Sequence, residues 1–214
     1  MQIFQIDSAL VASHRFGVDV LPPDGKRRID EGAEVFGFGP TLDGARAMDA
    51  GEVSLLQRSR IHLMQKQAKP LHCAGIHENL LFASTAFVGL IEDMSPGCHQ
   101  VVPLHNVWFH KGTEPVPGTY SAVLIMDYAA TVDLEHAKVR RTFVDHRNKT
   151  AIRLAAIFPK DRVIHAETGD GRHIWADDPT GAVFCSGAFR GRAEKLPGRL
   201  GITFAECTTF PRAP

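Results

Sequence analysis

The stretches FASTAF at 82–87 and FCSGAF at 184–189 decide the fold, because each joins a strand signal to a helix signal. The apolar run before each serine is typical of a buried strand, and the apolar spacing after it is typical of an amphipathic helix. A Pro-Gly pair then stops each helix, at 96–97 and at 197–198. The sequence therefore predicts two similar strand–helix–strand units, at 80–104 and 182–205. Either one ancestral unit was duplicated, or two helices share the same cap chemistry.

The two serines have the same predicted role. A serine just before a helix accepts a hydrogen bond from a free backbone amide of the first turn, so Ser84 and Ser186 are predicted to be structural N-caps. Neither lies in a G-x-S-x-G sequence, so neither is predicted to be a nucleophile. Phe87 and Phe189 occupy matching positions on the apolar faces of the two helices. We expect both rings to be core anchors.

Further strand signals surround the two units. The apolar run at 120–126 predicts a central strand covered on both faces. The runs at 163–167 and 172–176 flank Thr-Gly-Asp-Gly and predict a hairpin. Apolar spacing at 55–64 predicts a helix.

Short strands and few helices together predict an α+β fold with a mixed, mainly antiparallel sheet. We expect one domain over 1–214, with residues 1–79 as a loop-rich N-terminal layer and one short strand around 18–21. Residues 16–42 are rich in glycine, proline and charge, which favours irregular structure there.

Composition excludes several function classes. The chain has 24 Lys and Arg residues against 24 Asp and Glu residues, and a nucleic-acid binder usually has a basic excess. No apolar run is long enough to span a membrane, and the first residues lack an export signal. The four cysteines form no C-x-x-C pair, which predicts reduced thiols. We therefore expect a cytoplasmic protein that binds neither membrane nor nucleic acid directly.

Histidines and cysteines offer one candidate metal site, at His72, Cys73, His77, Cys98 and His99. Zinc ligands in loops usually come in pairs two to four residues apart, whereas two of these pairs are adjacent residues. The sequence therefore favours a chain with no metal, no cofactor and no catalytic residues. Such a chain is more often a binder than an enzyme, and a metal-dependent hydrolase using these residues is the enzymatic alternative.

The second half of the chain resembles a known family. The segment from Leu81 through Pro96-Gly97 to 99–104 is similar to a motif midway along members of the eleventh-numbered immunity family of bacterial polymorphic toxin systems. The segments 173–175, 183–189 and 201–204 resemble the motif that ends those proteins. The resemblance covers about 80–207, although Gly187 stands where an acidic residue is common and no glycine follows Thr203.

The resemblance implies an immunity protein without enzymatic activity. Such a protein binds its cognate antibacterial toxin tightly and protects the producing cell from effectors delivered by contact, often by type VI secretion. Family members often neighbour predicted nuclease toxins, so the resemblance implies a nuclease as the target. An adaptor that loads an effector onto its secretion apparatus is the alternative binder, and a homodimer stays open as an assembly.

An acidic stretch is the candidate toxin-binding surface. A nuclease cleft is basic because its substrate is anionic, and acidic side chains would steer association with it. Residues 1–100 carry 9 Lys and Arg residues against 12 Asp and Glu residues, and Asp43, Asp49 and Glu52 cluster within them. These three residues are the predicted toxin contacts, with ordinary solvated loop charge as the alternative interpretation.

Overall fold

The computed structural model describes residues 2–8, 18–21, 23, 46–63, 71–77, 79–109, 114–144, 149–154, 159–178 and 180–210. The described helices are short: α1 Ala50–Arg58, α2 Thr85–Met94 and α3 Gly187–Ala193. The described strands are β1 Ile3–Ser8, β2 Val18–Leu21, β3 Arg60–Leu63, β4 Cys73–His77, β5 Leu80–Ser84, β6 Gln100–Leu104, β7 Val107–Phe109, β8 Tyr120–Leu124, β9 Tyr128–Ala129, β10 Val139–Val144, β11 Lys149–Leu154, β12 Val163–His165, β13 Ile174–Asp177, β14 Val183–Ser186, β15 Ile202–Glu206 and β16 Thr208–Phe210. The predicted α+β class, with mixed and mainly antiparallel sheets, is confirmed.

Two sheets with the same internal order form the centre of the fold. The first has the order β4-β5-β8-β6, with every neighbouring pair antiparallel. The second contains the order β13-β14-β1-β15, again antiparallel throughout, and adds β9 parallel to β13. In each sheet a hairpin leads into a helix, and the strand after the helix lies at the far edge. The structure therefore contains both predicted strand–helix–strand segments, as β5-α2-β6 and β14-α3-β15. Each sheet adds two strands to its segment, a preceding strand and an inner strand.

Strand β1 completes the second unit as β8 completes the first. In the first unit the amide of Thr85 donates to the carbonyl of Thr119, at 3.3 Å, just before β8 begins. In the second unit the amide of Gly187 donates to the carbonyl of Gln2, at 3.0 Å, just before β1 begins. The start of the chain thus supplies a strand to a unit that is otherwise built from residues 174–206, so the second unit is a cyclic permutation of the first.

Each sheet is covered on both faces, which explains its apolar strands. In β5, Leu81 and Ala83 belong to a first core that both sheets share, while Leu80 and Phe82 belong to a second core beneath α1 and β3. A third core lies on the other side of the second sheet and includes Ile3, Val132, Ile164, Trp175 and Phe184. The predicted central strand at 120–126 is confirmed as β8, which lies between two other strands.

The two units are joined where the chain passes Gly201. The amide of His72 donates to the carbonyl of Arg199, at 2.9 Å, and the amide of Cys73 donates to the carbonyl of Leu200, at 2.7 Å. Gly201 has a φ of +78°, and a Cβ there would lie 2.1 Å from the carbonyl oxygen of Cys73. This close backbone approach requires glycine.

The predicted hairpin at 163–176 is wrong. Strand β12 pairs in parallel with β16, and β13 pairs with β14 and β9, so the two segments belong to different sheets. Residues 166–169 form a 3-10 turn between them rather than a hairpin turn. The local turn signal was genuine, but longer-range pairing gave each strand another partner.

The predicted helix at 55–64 is also wrong in its bounds. Helix α1 starts at Ala50 and ends at Ser59, whose backbone is already extended, at φ −71° and ψ 152°. The amide and the hydroxyl of Ser59 both donate to the carbonyl of Leu55 and so satisfy an acceptor of the last helical turn. Strand β3 follows at once and pairs with β2 and β7. The apolar residues Ile61 and Leu63 therefore alternate along a strand instead of following a helical period.

The predicted loop-rich layer over 1–79 lies partly outside the described residues. Its described part contains β1, β2, α1, β3 and β4, and β2 forms at 18–21 as predicted. None of the described helices has the length and apolar character needed to cross a membrane. All four cysteines are free, with Cys98 exposed and the other three buried.

Candidate functional site

Ser84 connects the start of α2 to the second unit. Its hydroxyl oxygen accepts a hydrogen bond from the amide of Phe87, at 3.4 Å, as the N-cap prediction requires. His72 lies on its other side, with Nδ1 2.9 Å from Ser84 Oγ and Nε2 2.8 Å from the carbonyl oxygen of Pro197. Because a carbonyl only accepts, Nε2 carries a proton, and in the neutral imidazole Ser84 then donates to Nδ1. The serine therefore links a helix cap of one unit to the loop after α3 of the other.

Ser186 repeats this arrangement in the second unit. Its hydroxyl accepts from the amide of Phe189, at 3.2 Å, and lies 3.4 Å from Nδ1 of His173. The amide of each serine also donates to the carbonyl of its histidine, at 2.8 Å for Ser84 and 3.0 Å for Ser186. Both predicted caps are thus in place. The paired histidines, 12 and 13 residues before the serines, are a repeat that the sequence analysis missed.

A serine beside a histidine is also the arrangement of nucleophilic catalysis, so each pair could have either a catalytic or a structural role. Ser186 is only 3% exposed, which leaves no route for a substrate to reach its hydroxyl. The same contact in both units therefore follows from the repeated architecture. We assign both pairs to capping and to the packing of strand against helix.

The predicted anchors Phe87 and Phe189 meet at the centre of the molecule. Both rings are fully buried in the first core, and their centroids lie 5.9 Å apart at an interplanar angle of 84°. This edge-to-face geometry is favourable for aromatic pairs. Helices α2 and α3 thus pack on each other through matching residues, and an ion pair between Arg192 and Asp93 joins their exposed sides at 3.0 Å.

The structure gives the predicted acidic contacts additional roles. Asp49 is the N-cap of α1: its side chain accepts from the amide of Glu52, at 2.9 Å, and Glu52 accepts from the amide of Asp49, at 2.8 Å. Glu52 also binds Arg46 through both carboxylate oxygens, at 2.5 and 2.6 Å. The hydrogen bonds from Arg46 lower the pKa of Glu52. Asp43 lies outside the described residues.

The toxin-binding role of these acids stays a prediction, but their charge is less available than the sequence indicated. Arg46 offsets Glu52, and Asp49 faces the amides of α1, where the helix dipole favours a negative charge. The spacing Asp-x-x-Glu just before an apolar run is the capping-box signal, and it could have placed this helix start from the sequence.

The histidines and cysteines of the candidate metal site have separate roles in the structure. Within the described residues no group of three or more His, Cys, Asp or Glu side chains is placed to hold a metal ion. Both ring nitrogens of His72 make hydrogen bonds, and burial raises the pKa of Cys73 to about 12, which disfavours the thiolate that binds metals. The side chain of His77 lies outside the described part.

His99 is a buried histidine that contacts the backbone just after β8. Its Nδ1 accepts from the amide of Met126 at 3.2 Å, so Nε2 carries the proton, and that buried nitrogen has no hydrogen-bond partner among the described residues. Burial lowers the pKa of His99, against the opposing effect of the Asp127 and Glu92 carboxylates. Asp127 also pairs with Arg172 at 2.9 Å. The imidazole is therefore neutral and is held in one tautomer by the backbone.

Comparison with known proteins adds no relative. A scan against models of known protein families finds no match to this chain. A search of curated proteins likewise finds no significant match.

Proposed function

We propose that this chain is an immunity protein that binds a cognate antibacterial toxin and neutralises it by occluding the toxin's working surface. The toxin is a nuclease effector delivered by type VI secretion, and the protection takes place in the cytoplasm. The proposal rests on the resemblance of residues 80–207 to the immunity family together with the use of the resembling residues in the structure.

One observation supports a binder more than an enzyme. The most distinctive residues of the resembling motifs, Ser84, Phe87, Ser186 and Phe189, cap and pack two copies of one unit. Their chemistry is used within the scaffold, where each polar group is satisfied by a neighbour. A rigid scaffold of this kind suits an inhibitor, because pre-organised partners lose little conformational freedom on binding.

A neutralisation assay tests the proposal. The toxin encoded beside this chain's own gene is expressed in a sensitive host with and without the chain. We expect co-expression to restore growth, and the effect to require binding between the two purified proteins. The matched control is Phe87→Ala, which damages the scaffold and is expected to lose protection. Growth arrest that persists despite well-folded immunity protein would contradict the proposal.

A further inference from the structure

Strand β15 is an edge strand whose outer side has no partner among the described residues. It pairs with β1 and with no other described strand. The amide of Cys207, just after β15, donates to the carbonyl of Ile3, at 3.1 Å. Because hydrogen-bonded positions alternate along an antiparallel pair, Ile202, Phe204 and Glu206 direct their amides and carbonyls away from β1. None of the hydrogen bonds found in the described part of the chain involves these outer backbone groups.

The equivalent edge of the first unit is protected by a proline. Pro103 of β6 lies opposite Ser121, and Glu206 of β15 lies opposite Phe4. Ser121 and Phe4 are equivalent, because each follows the residue that lies opposite the cap serine of its unit. Pro103 and Glu206 therefore occupy the same place in the two units, with the backbone nitrogen directed outward. Proline has no amide hydrogen and so hinders pairing with a further strand, whereas Glu206 keeps its amide.

The outer edge of β15 is also accessible. The side chains of Thr203 and Glu206 are exposed, and those of Phe204 and Ala205 are half-buried. Phe204 and Leu200, which lies just before β15, pack against the first core and leave part of their apolar surface at its rim. An accessible edge with outward amides and no proline is a template for pairing with another chain.

We propose that β15 pairs in antiparallel orientation with β15 of a second copy of this chain, so that the second sheets of the two copies form one continuous sheet. The pair is related by a two-fold axis that passes beside Phe204. Phe204 then lies opposite Phe204 of the second copy, and Ile202 lies opposite Glu206 of the second copy. In this register every outer amide of β15 meets an outer carbonyl.

The sequence of β15 favours a second copy as the occupant, because the strand complements itself. Its one charged residue, Glu206, lies opposite Ile202, so no like charges are directly opposed. The two half-buried Phe204 rings meet at the axis, where a cross-strand aromatic pair is favourable. Thr203 lies opposite Ala205, so only small side chains meet on the other face. A two-fold dimer needs one surface that fits itself, and this edge meets that condition without relying on the proposed function.

The variant Glu206→Pro tests the pairing, because it gives β15 the proline that protects β6. It removes an amide that makes no hydrogen bond within the described part of the chain, and proline is tolerated on edge strands. At low concentration its melting temperature should therefore match that of the wild type. Glu206→Gln is the matched control, since it removes the same carboxylate and keeps the amide.

Sedimentation equilibrium of the purified proteins measures the dissociation constant of the dimer. We expect the wild type and Glu206→Gln to dimerise with similar dissociation constants. Glu206→Pro should raise the dissociation constant about tenfold or more, because the dimer loses a hydrogen bond from each copy and the proline ring lies where the amide hydrogen was.

Amide hydrogen exchange provides a second readout that needs no variant. As the protein concentration rises, the outer amides of Ile202, Phe204 and Glu206 should exchange more slowly. The amides of Thr203 and Ala205 donate to β1 and should be protected at every concentration. This alternation, resolved residue by residue by NMR, tests the interface even if Glu206→Pro does not fold.

Three results would overturn the proposal. One is a wild-type chain that stays monomeric up to its highest soluble concentration. Another is a dimer that Glu206→Pro leaves intact or that leaves the outer amides of β15 unprotected, since its interface would lie elsewhere. The third is a monomeric chain whose affinity for the toxin falls in Glu206→Pro and not in Glu206→Gln, which would make a strand of the toxin the occupant. Dimerisation is measured without toxin, so a failure of the proposed function is distinguished from a failure of this inference.

Discussion

The contact between Phe87 and Phe189 predicts how strongly the two units depend on each other. Both rings are fully buried and meet edge to face with centroids 5.9 Å apart. Truncating a buried phenylalanine to alanine removes its transfer free energy and leaves a cavity, so each single variant is expected to lose about 3–5 kcal/mol of unfolding free energy. Because an aromatic pair adds about 0.5–1.5 kcal/mol beyond burial, the double variant should lose about 1 kcal/mol less than the sum of the singles.

Denaturant unfolding of the wild type, the two single variants and the double variant measures this coupling. Phe184 provides the matched control, since it is fully buried but lies in the third core, so Phe87→Ala and Phe184→Ala should be additive. If the alanine variants unfold, the corresponding leucine variants provide the same cycle at lower cost. A loss below about 1 kcal/mol at either ring would refute its burial. Additive losses for Phe87 and Phe189 would refute the contact between the units.

Three further predictions follow from single positions. Replacing Ser84 or Ser186 by alanine should each lower the free energy of unfolding by about 1 kcal/mol without changing toxin affinity, measured by chemical unfolding and titration calorimetry; full stability in either variant would contradict the cap. Gly201→Ala should lose about 3 kcal/mol or more, because the new Cβ would lie 2.1 Å from the carbonyl of Cys73, whereas an unchanged melting temperature would refute that approach. The pKa of His99 is lower in the folded chain than in the unfolded chain, so the unfolded chain binds the proton first as the pH falls. The free energy of unfolding should therefore decrease below pH 6.5, and His99→Gln should reduce this decrease. Identical pH profiles of the wild type and the variant would disprove the effect.

The sequence predicted best those elements whose residue pattern lies within a single helix turn or a single strand. The serine before each helix, the Pro-Gly pair after it and the phenylalanine on its apolar face depend on neighbours a few residues away. The serine caps and the buried phenylalanines are confirmed in both units, and α2 ends directly before its Pro-Gly pair, whereas α3 already ends at Ala193. The doubly covered strand at 120–124 was equally predictable, since burial on both faces leaves a continuous apolar run.

Pairing over long distances could not be predicted from the same signals. Strand β1 joins a sheet whose other antiparallel strands lie beyond residue 173, and nothing within its six residues specifies those partners. The hairpin predicted at 163–176 is wrong for the same reason, because β12 pairs with the distant strand β16. At the candidate site, the capping box of Asp49 and Glu52 could have been predicted from their spacing in the sequence. The ion pair of Glu52 with Arg46 could not, because it depends on the conformation of the loop before α1.

Titration of the purified toxin with this chain tests the proposed function most directly. An immunity protein that occludes its target should abolish the toxin's activity in proportion to the amount added, with complete inhibition at an equimolar ratio. A complex that forms while the toxin keeps full activity would contradict this account and identify an adaptor. If no complex forms and the toxin stays fully active, the toxin is not a partner of this chain.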